Sequence, residues 1–137
     1  MGFEQFGVIS FTGNTRAEQF VEFLKKNEIR GTVCKTCGAK FFPPRSDCNF
    51  CLSGDVDWFE VSGEGNLLSF TKAMFAPAGF EKDVPYMLGV AEFSDGIKVF
   101  GRIDKTLNEE IVKPGLKVKI RTVNLENDRL SYELTAV

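Results

Sequence analysis

Four cysteines fall within eighteen residues of this 137-residue chain, at positions 34, 37, 48 and 51, spaced C-x2-C, ten residues, C-x2-C. Within each pair a tight turn can aim two sulfurs at one point, and a short hairpin then sets the second pair opposite the first. Four thiolates at about 2.3 Å from a common centre suit tetrahedral Zn²⁺. Gly38 directly follows Cys37 and can take the positive φ that such a knuckle needs, and Gly54 can serve a similar turn after Cys51. Two disulfides would fit an oxidising compartment. Rubredoxin-type iron uses similar knuckles, usually with a longer segment between them. Four sulfur ligands leave no open position, so Cys34, Cys37, Cys48 and Cys51 read as a structural zinc site and not a catalytic one.

Histidine is absent, which removes any Ser-His or Cys-His relay and any imidazole ligand from the chain. Formal charge is −2, against the basic excess usual in nucleic-acid binders. No apolar run approaches the ~20 residues of a membrane span. Met1-Gly2-Phe3-Glu4 lacks the basic start of a secretory signal, so a cytoplasmic location is expected.

Residues 1–13 read as an extended arm. Thr15 and Glu18 form a capping-box pattern, and Ala17, Phe20, Val21 and Leu24 recur at helical spacing, which predicts a helix over 15–27. Its Phe/Leu strip either packs on the chain's own body or docks on another protein. The segment between the cysteine pairs carries Phe41-Phe42-Pro43-Pro44-Arg45. One of the two phenylalanines is expected in the core of the small ribbon, and the other against the following domain or a partner. From Trp58 onward strand patterns dominate. Gly63 and Gly65 predict a bend or bulge, and Tyr86–Phe93, Asp95-Gly96 and Ile97–Ile103 form the strongest hairpin signal. Strands follow around Val118 and Ile120 and from Leu130 to Ala136. Five to six short strands in about 80 residues suit a small Greek-key barrel such as the OB-fold. The expected division is an arm and helix over 1–30, a zinc ribbon over 31–56 and a barrel over 57–137, giving a mainly β protein with an N-terminal helix, a rubredoxin-like zinc ribbon and an OB-fold.

The order of motifs is specific: a four-Cys ribbon, Phe42-Pro43-Pro44-Arg45 before the second pair, Val61-Ser62-Gly63-Glu64-Gly65, Pro85-Tyr86 opening a strand, Gly96, and a terminal barrel strand. Over about residues 20–137 the chain resembles the zinc-ribbon plus OB-fold accessory proteins of thiolases and related acyl-CoA enzymes, long catalogued as a domain of unknown function. The arm and helix are also similar to the small subunits of benzoylsuccinyl-CoA thiolases, which belong to aromatic-compound beta-oxidation. The resemblance implies a non-catalytic heteromer subunit. It would dock on a thiolase-type catalytic subunit, or on an acyl-CoA hydratase, and help form the site for coenzyme A or acyl-CoA.

The bare chemistry agrees, because a thiolase relay needs reactive cysteines and a histidine that this chain does not offer. Residues 98–121 hold seven basic and three acidic side chains, a charge that could attract the phosphates of coenzyme A. Lys98, Phe100, Arg102, Phe75 and Tyr86 are the candidate CoA or acyl contacts, and Phe20, Leu24, Phe41 and Phe42 the candidate partner-docking residues. Arg102 follows Gly101, where a missing side chain would let a ligand approach closely. The rival reading is a single-stranded nucleic-acid module, since OB-folds bind such strands with aromatics and basic grooves.

Overall fold

The structure is a computed structural model that describes residues 6, 17–125 and 129–137. Helix α1 (Gln19–Lys25) is shorter than the predicted 15–27. Thr15 lies outside the described residues, and Glu18 at the N-cap makes no side-chain capping hydrogen bond. The predicted face is correct: Phe20, Val21 and Leu24 are buried.

Two sheets follow. A three-stranded antiparallel sheet, in the order β2-β1-β3, joins β1 (Arg30–Cys34), β2 (Lys40–Phe41) and β3 (Val56–Glu60). Strand β3 pairs with β1 along its length, from Arg30↔Glu60 to Cys34↔Val56, so the ribbon's sheet runs past residue 56. Gly31 sits where this sheet is tightest: a Cβ there would collide with the Phe41 carbonyl and meet the Phe59 ring at 3.0 Å.

The second sheet closes into a barrel, β4-β5-β6-β8-β7, built from β4 (Gly65–Ala73), β5 (Tyr86–Glu92), β6 (Lys98–Ile103), β7 (Lys117–Leu125) and β8 (Arg129–Ala136). All its pairings are antiparallel except β6 with β8. That single parallel step, made after a crossover through β7, is the Greek-key closure of an OB-fold. Closure leaves no free sheet edge. The Asp95-Gly96 turn falls as predicted, with Gly96 at φ +71°. Gly63 supplies the predicted bend at φ +82°, while the bulge lies farther on, between Leu67 and Ser69.

Alternation along β6 puts Val99 and Ile103 inside, with Leu67, Ala91, Val118 and Leu134 from the other strands. The helix joins this same core. Phe20 lies edge-on to Tyr132 of β8 at 6.0 Å and to Phe42 at 5.8 Å, and Phe42 meets Tyr132 at 5.3 Å. Phe6, the one described residue of the arm, reaches Phe20 at 6.1 Å. Burying Phe20 and Leu24 to 1% exposure stabilises the fold by about 2–3 kcal/mol each. These two side chains are therefore core and cannot present themselves to a partner, contrary to the docking expectation. Phe41 is likewise withdrawn, packed with Cys34 and Cys48 in the ribbon's own small core. Phe42 is half-buried and seals ribbon and helix against the barrel. No helix among the described residues is long and apolar enough to cross a membrane.

Candidate metal centre and an arginine-lined cavity

The two cysteine pairs are carried by near-identical turns. In the first, Gly38 donates its N–H to the Cys34 carbonyl at 2.9 Å and Cys34 donates to Ala39 at 2.8 Å. In the second, Leu52 donates to Cys48 at 3.1 Å and Cys48 donates to Ser53 at 2.9 Å. The left-handed residue is Gly38 at φ +80° in one and Leu52 at φ +63° in the other, so the second turn uses Leu52 and not the expected Gly54. A bulky leucine in that conformation costs about 1–2 kcal/mol.

These turns bring all four sulfurs within 4.8 Å of one another. Cys34 and Cys51 are 3.5 Å apart and Cys37 and Cys48 are 3.6 Å apart. Both gaps are far beyond a disulfide's ~2.05 Å, and all four cysteines are free. They approach the ~3.8 Å edge of a tetrahedron with 2.3 Å metal–sulfur arms. Backbone amides prepare the thiolates. The Cys37 N–H points at Cys34 Sγ, 3.5 Å away, and the Cys51 N–H at Cys48 Sγ; both of these thiols are lowered, while their neighbours Cys51 and Cys37 are raised by the sulfurs beside them. The donor set and its spacing fit one tetrahedral soft cation held by sulfur alone.

A second constellation lies on the barrel wall. The segment before β5 brings Asp83 against β6 and β8. Arg129 Nη1 and Nη2 donate to its two oxygens at 2.8 and 2.9 Å, and Arg102 Nη2 donates at 2.8 Å. Arg129 beside it holds the Asp83 carboxyl down at about 2, with Arg102 adding to the effect. Arg102 lies over the rings of Tyr86 at 4.6 Å and Phe80 at 5.9 Å. Nearby, Arg121 donates to Glu133 and to Asp104, whose carboxylate also accepts from Thr106 and Thr135. A cavity of about 300 Å³ opens among these groups.

The structure joins only part of the expected ligand set. Arg102 and Tyr86 are together in this cluster. Lys98 and Phe100 lie on the same outward face of β6, with Phe100 55% exposed, and neither lines the cavity. Phe75 is 91% exposed in the loop after β4 and does not line the cavity. The space above Gly101 is taken by the Tyr132 ring, 3.0 Å from where a Cβ would stand, so that glycine admits a side chain and not a ligand. Asp83, Arg129 and Glu133 were not singled out from the sequence. The available signal was Arg129 and Glu133 set among the apolar residues of the last strand, with Arg121 on its neighbour.

Comparison with known proteins places these features. The profile of the ChsH2 rubredoxin-like zinc ribbon domain matches residues 21–57, and that of the ChsH2 C-terminal OB-fold domain matches residues 58–123. A DUF35 domain-containing scaffold protein of Pyrococcus furiosus is 32% identical over 100 residues, 73% of this chain and 72% of that protein. One from Methanocaldococcus jannaschii is 30% identical over 82 residues, 59% of this chain and 58% of that one. Benzoylsuccinyl-CoA thiolase subunit BbsA of Thauera aromatica is 28% identical over 76 residues, 56% of this chain and 51% of that subunit. The matched stretch thus spans between about half and three-quarters of these relatives' lengths. Among solved structures, a chain of the Ltp2-ChsH2(DUF35) aldolase superposes with a TM-score of 0.73 at 21% identity, covering 92% of this chain and 98% of that one. The ribbon match and the sulfur cluster together identify Cys34, Cys37, Cys48 and Cys51 as a structural zinc site. With ribbon and barrel matched in series along most of its length, the chain belongs to the ChsH2 (DUF35) family of zinc-ribbon and OB-fold proteins.

Proposed function

We propose that this chain is a non-catalytic subunit that docks on a thiolase-type catalytic subunit and helps form its coenzyme A or acyl-CoA site. One observation carries the reading: every cysteine belongs to one closed sulfur cluster, in a chain without histidine. That leaves no Cys–His relay of the kind a thiolase uses. The names of relatives support it, since one is a thiolase subunit and others are scaffold proteins. In this role the subunit acts by positioning its partner and excluding water from the reacting thioester. We assign residues 1–30 to the arm and helix, and divide ribbon from barrel after β3 at Glu60, beyond the expected 56/57 boundary, with the ribbon as the principal docking module. Its exposed apolar groups are Phe50 and Leu52, 74% and 83% exposed beside the second cysteine pair. They replace the buried Phe20, Leu24 and Phe41 as candidate contacts.

The test is reconstitution. The zinc-loaded chain is mixed with a thiolase-type catalytic subunit, and mass and thiolytic turnover are measured together. A stoichiometric complex with raised turnover is expected, weakened by Phe50→Ser with Leu52→Ser. A catalytic subunit that is fully active alone and forms no complex refutes the reading. Capture of an acyl-CoA hydratase in its place would move the partner assignment to that class.

A further inference from the structure

We propose that the cavity between residues 82–86, β6, β7 and β8 binds a phosphorylated small molecule bearing at least two phosphoryl groups. Its walls carry five cations, Lys82, Arg102, Lys105, Arg121 and Arg129. Among the described residues, two carboxylates, Asp83 and Glu133, share the lining. Counting Asp104, which accepts from Arg121 behind the wall, the described residues of the site still hold a surplus of two positive charges in a chain of net charge −2. A focused surplus of this kind in a concave, partly desolvated site attracts a multiply charged anion and repels metal cations.

The arginines have donors to spare. Arg102 commits only Nη2 to Asp83, and Arg121 commits Nε and Nη2 to its carboxylates. Each guanidinium carries five N–H groups in a planar fork that matches phosphate oxygens. Lys82 and Lys105, both exposed, make no ion pair among the described residues. The fixed groups are set before any ligand arrives. The Arg129 side chain is 6% exposed and gripped at both ends of its fork by Asp83, and Arg102 lies over Tyr86 and Phe80. Little ordering entropy is left for binding to lose. Pro85, Ile103, Val123 and Leu125 give the cavity an apolar floor for an organic portion. Its 300 Å³ is at the small end of pockets that take organic ligands. The convergence of charge on one enclosed hollow favours a small molecule over a polynucleotide, which tracks an extended groove.

The identity of the ligand as coenzyme A rests on the function proposed above; its charge class rests on the cavity alone. Calorimetry on the zinc-loaded full chain tests both, with adenosine 3′,5′-bisphosphate, coenzyme A, pantetheine, inorganic phosphate and an oligothymidylate as probes. The bisphosphate and coenzyme A should bind saturably, with affinity falling as salt rises, and pantetheine should not bind. Lys82→Ala with Lys105→Ala should weaken both ligands about tenfold without moving the thermal midpoint, whereas Lys26→Ala with Lys35→Ala, an equal charge change elsewhere, should not. The proposal is overturned by no bisphosphate binding at millimolar concentration, by equal loss in the two double variants, by inorganic phosphate binding as tightly as the bisphosphate, or by the oligonucleotide outcompeting it. Bisphosphate binding without complex formation would keep the site and discard the thiolase reading; complex formation without it would do the reverse.

Discussion

Replacing Asp83 with asparagine isolates the charge that pins the segment before β5 to the barrel. The side chain keeps its shape and one acceptor, but two guanidiniums lose the Asp83 charge, one of them on the 5%-exposed Arg129. The carboxyl titrates at about 2 in the folded chain against an ordinary 3.8. At roughly 1.4 kcal/mol per pKa unit this difference stabilises the fold by about 2 kcal/mol at neutral pH. A broken buried pair costs about 3–5 kcal/mol where the orphaned charge cannot reach water. The cavity beside Arg102 gives partial access, so a loss of about 2–4 kcal/mol is expected. With a urea slope of about 1.5–2 kcal/mol per molar, the unfolding midpoint of the zinc-saturated protein should fall by about 1–2 M. The pH dependence has a definite sign. A depressed carboxyl contributes its full stabilisation above 3.8 and loses it as pH falls through 2. The difference between native chain and variant should therefore be flat from neutral pH to about 5 and shrink to roughly half by pH 3. It is read as a difference because thiolate protonation releases zinc from both proteins over the same range. A midpoint shift below about 0.3 M at pH 7, or a carboxyl NMR titration near 3.8, would falsify the latch.

Two further outcomes follow from the ribbon. Zinc removal by a chelator should unfold the segment from about Gly31 to Val56, since a structural zinc site contributes on the order of 10 kcal/mol, as much as a domain's whole stability; an unchanged circular dichroism spectrum and thermal midpoint would count against the sulfur cluster. Leu52→Gly should stabilise the isolated chain by about 0.5–1 kcal/mol, because relief of the left-handed strain outweighs the extra freedom glycine gives the unfolded state, and a lower urea midpoint would contradict the strain argument.

The parts of this fold legible in the sequence were those with short-range rules. The cysteine spacing, the Asp95-Gly96 turn and the face of α1 each depend on residues within a turn or two of one another. What covers that face was not legible, because an amphipathic stripe states that something must bury Phe20 and Leu24 but not what, and here it is the chain's own β8. The arginine cluster was hidden for a related reason: Asp83 meets partners 19 and 46 positions away, and nothing local marks it as their counter-ion. Glycine signalled the first knuckle but misled at the second, where Leu52 holds the left-handed turn against its own preference.

Strand β3 ends at Glu60 and β4 begins at Gly65, while Phe42 packs edge-on against both Phe20 and Tyr132. So short a hinge, already jammed by aromatic rings, leaves the two halves no room to swivel like beads on a thread. A protein that grips the sulfur-bearing tip thereby also fixes the orientation of the barrel wall that carries Arg102 and Arg129, as a hand on a key's bow aims its teeth.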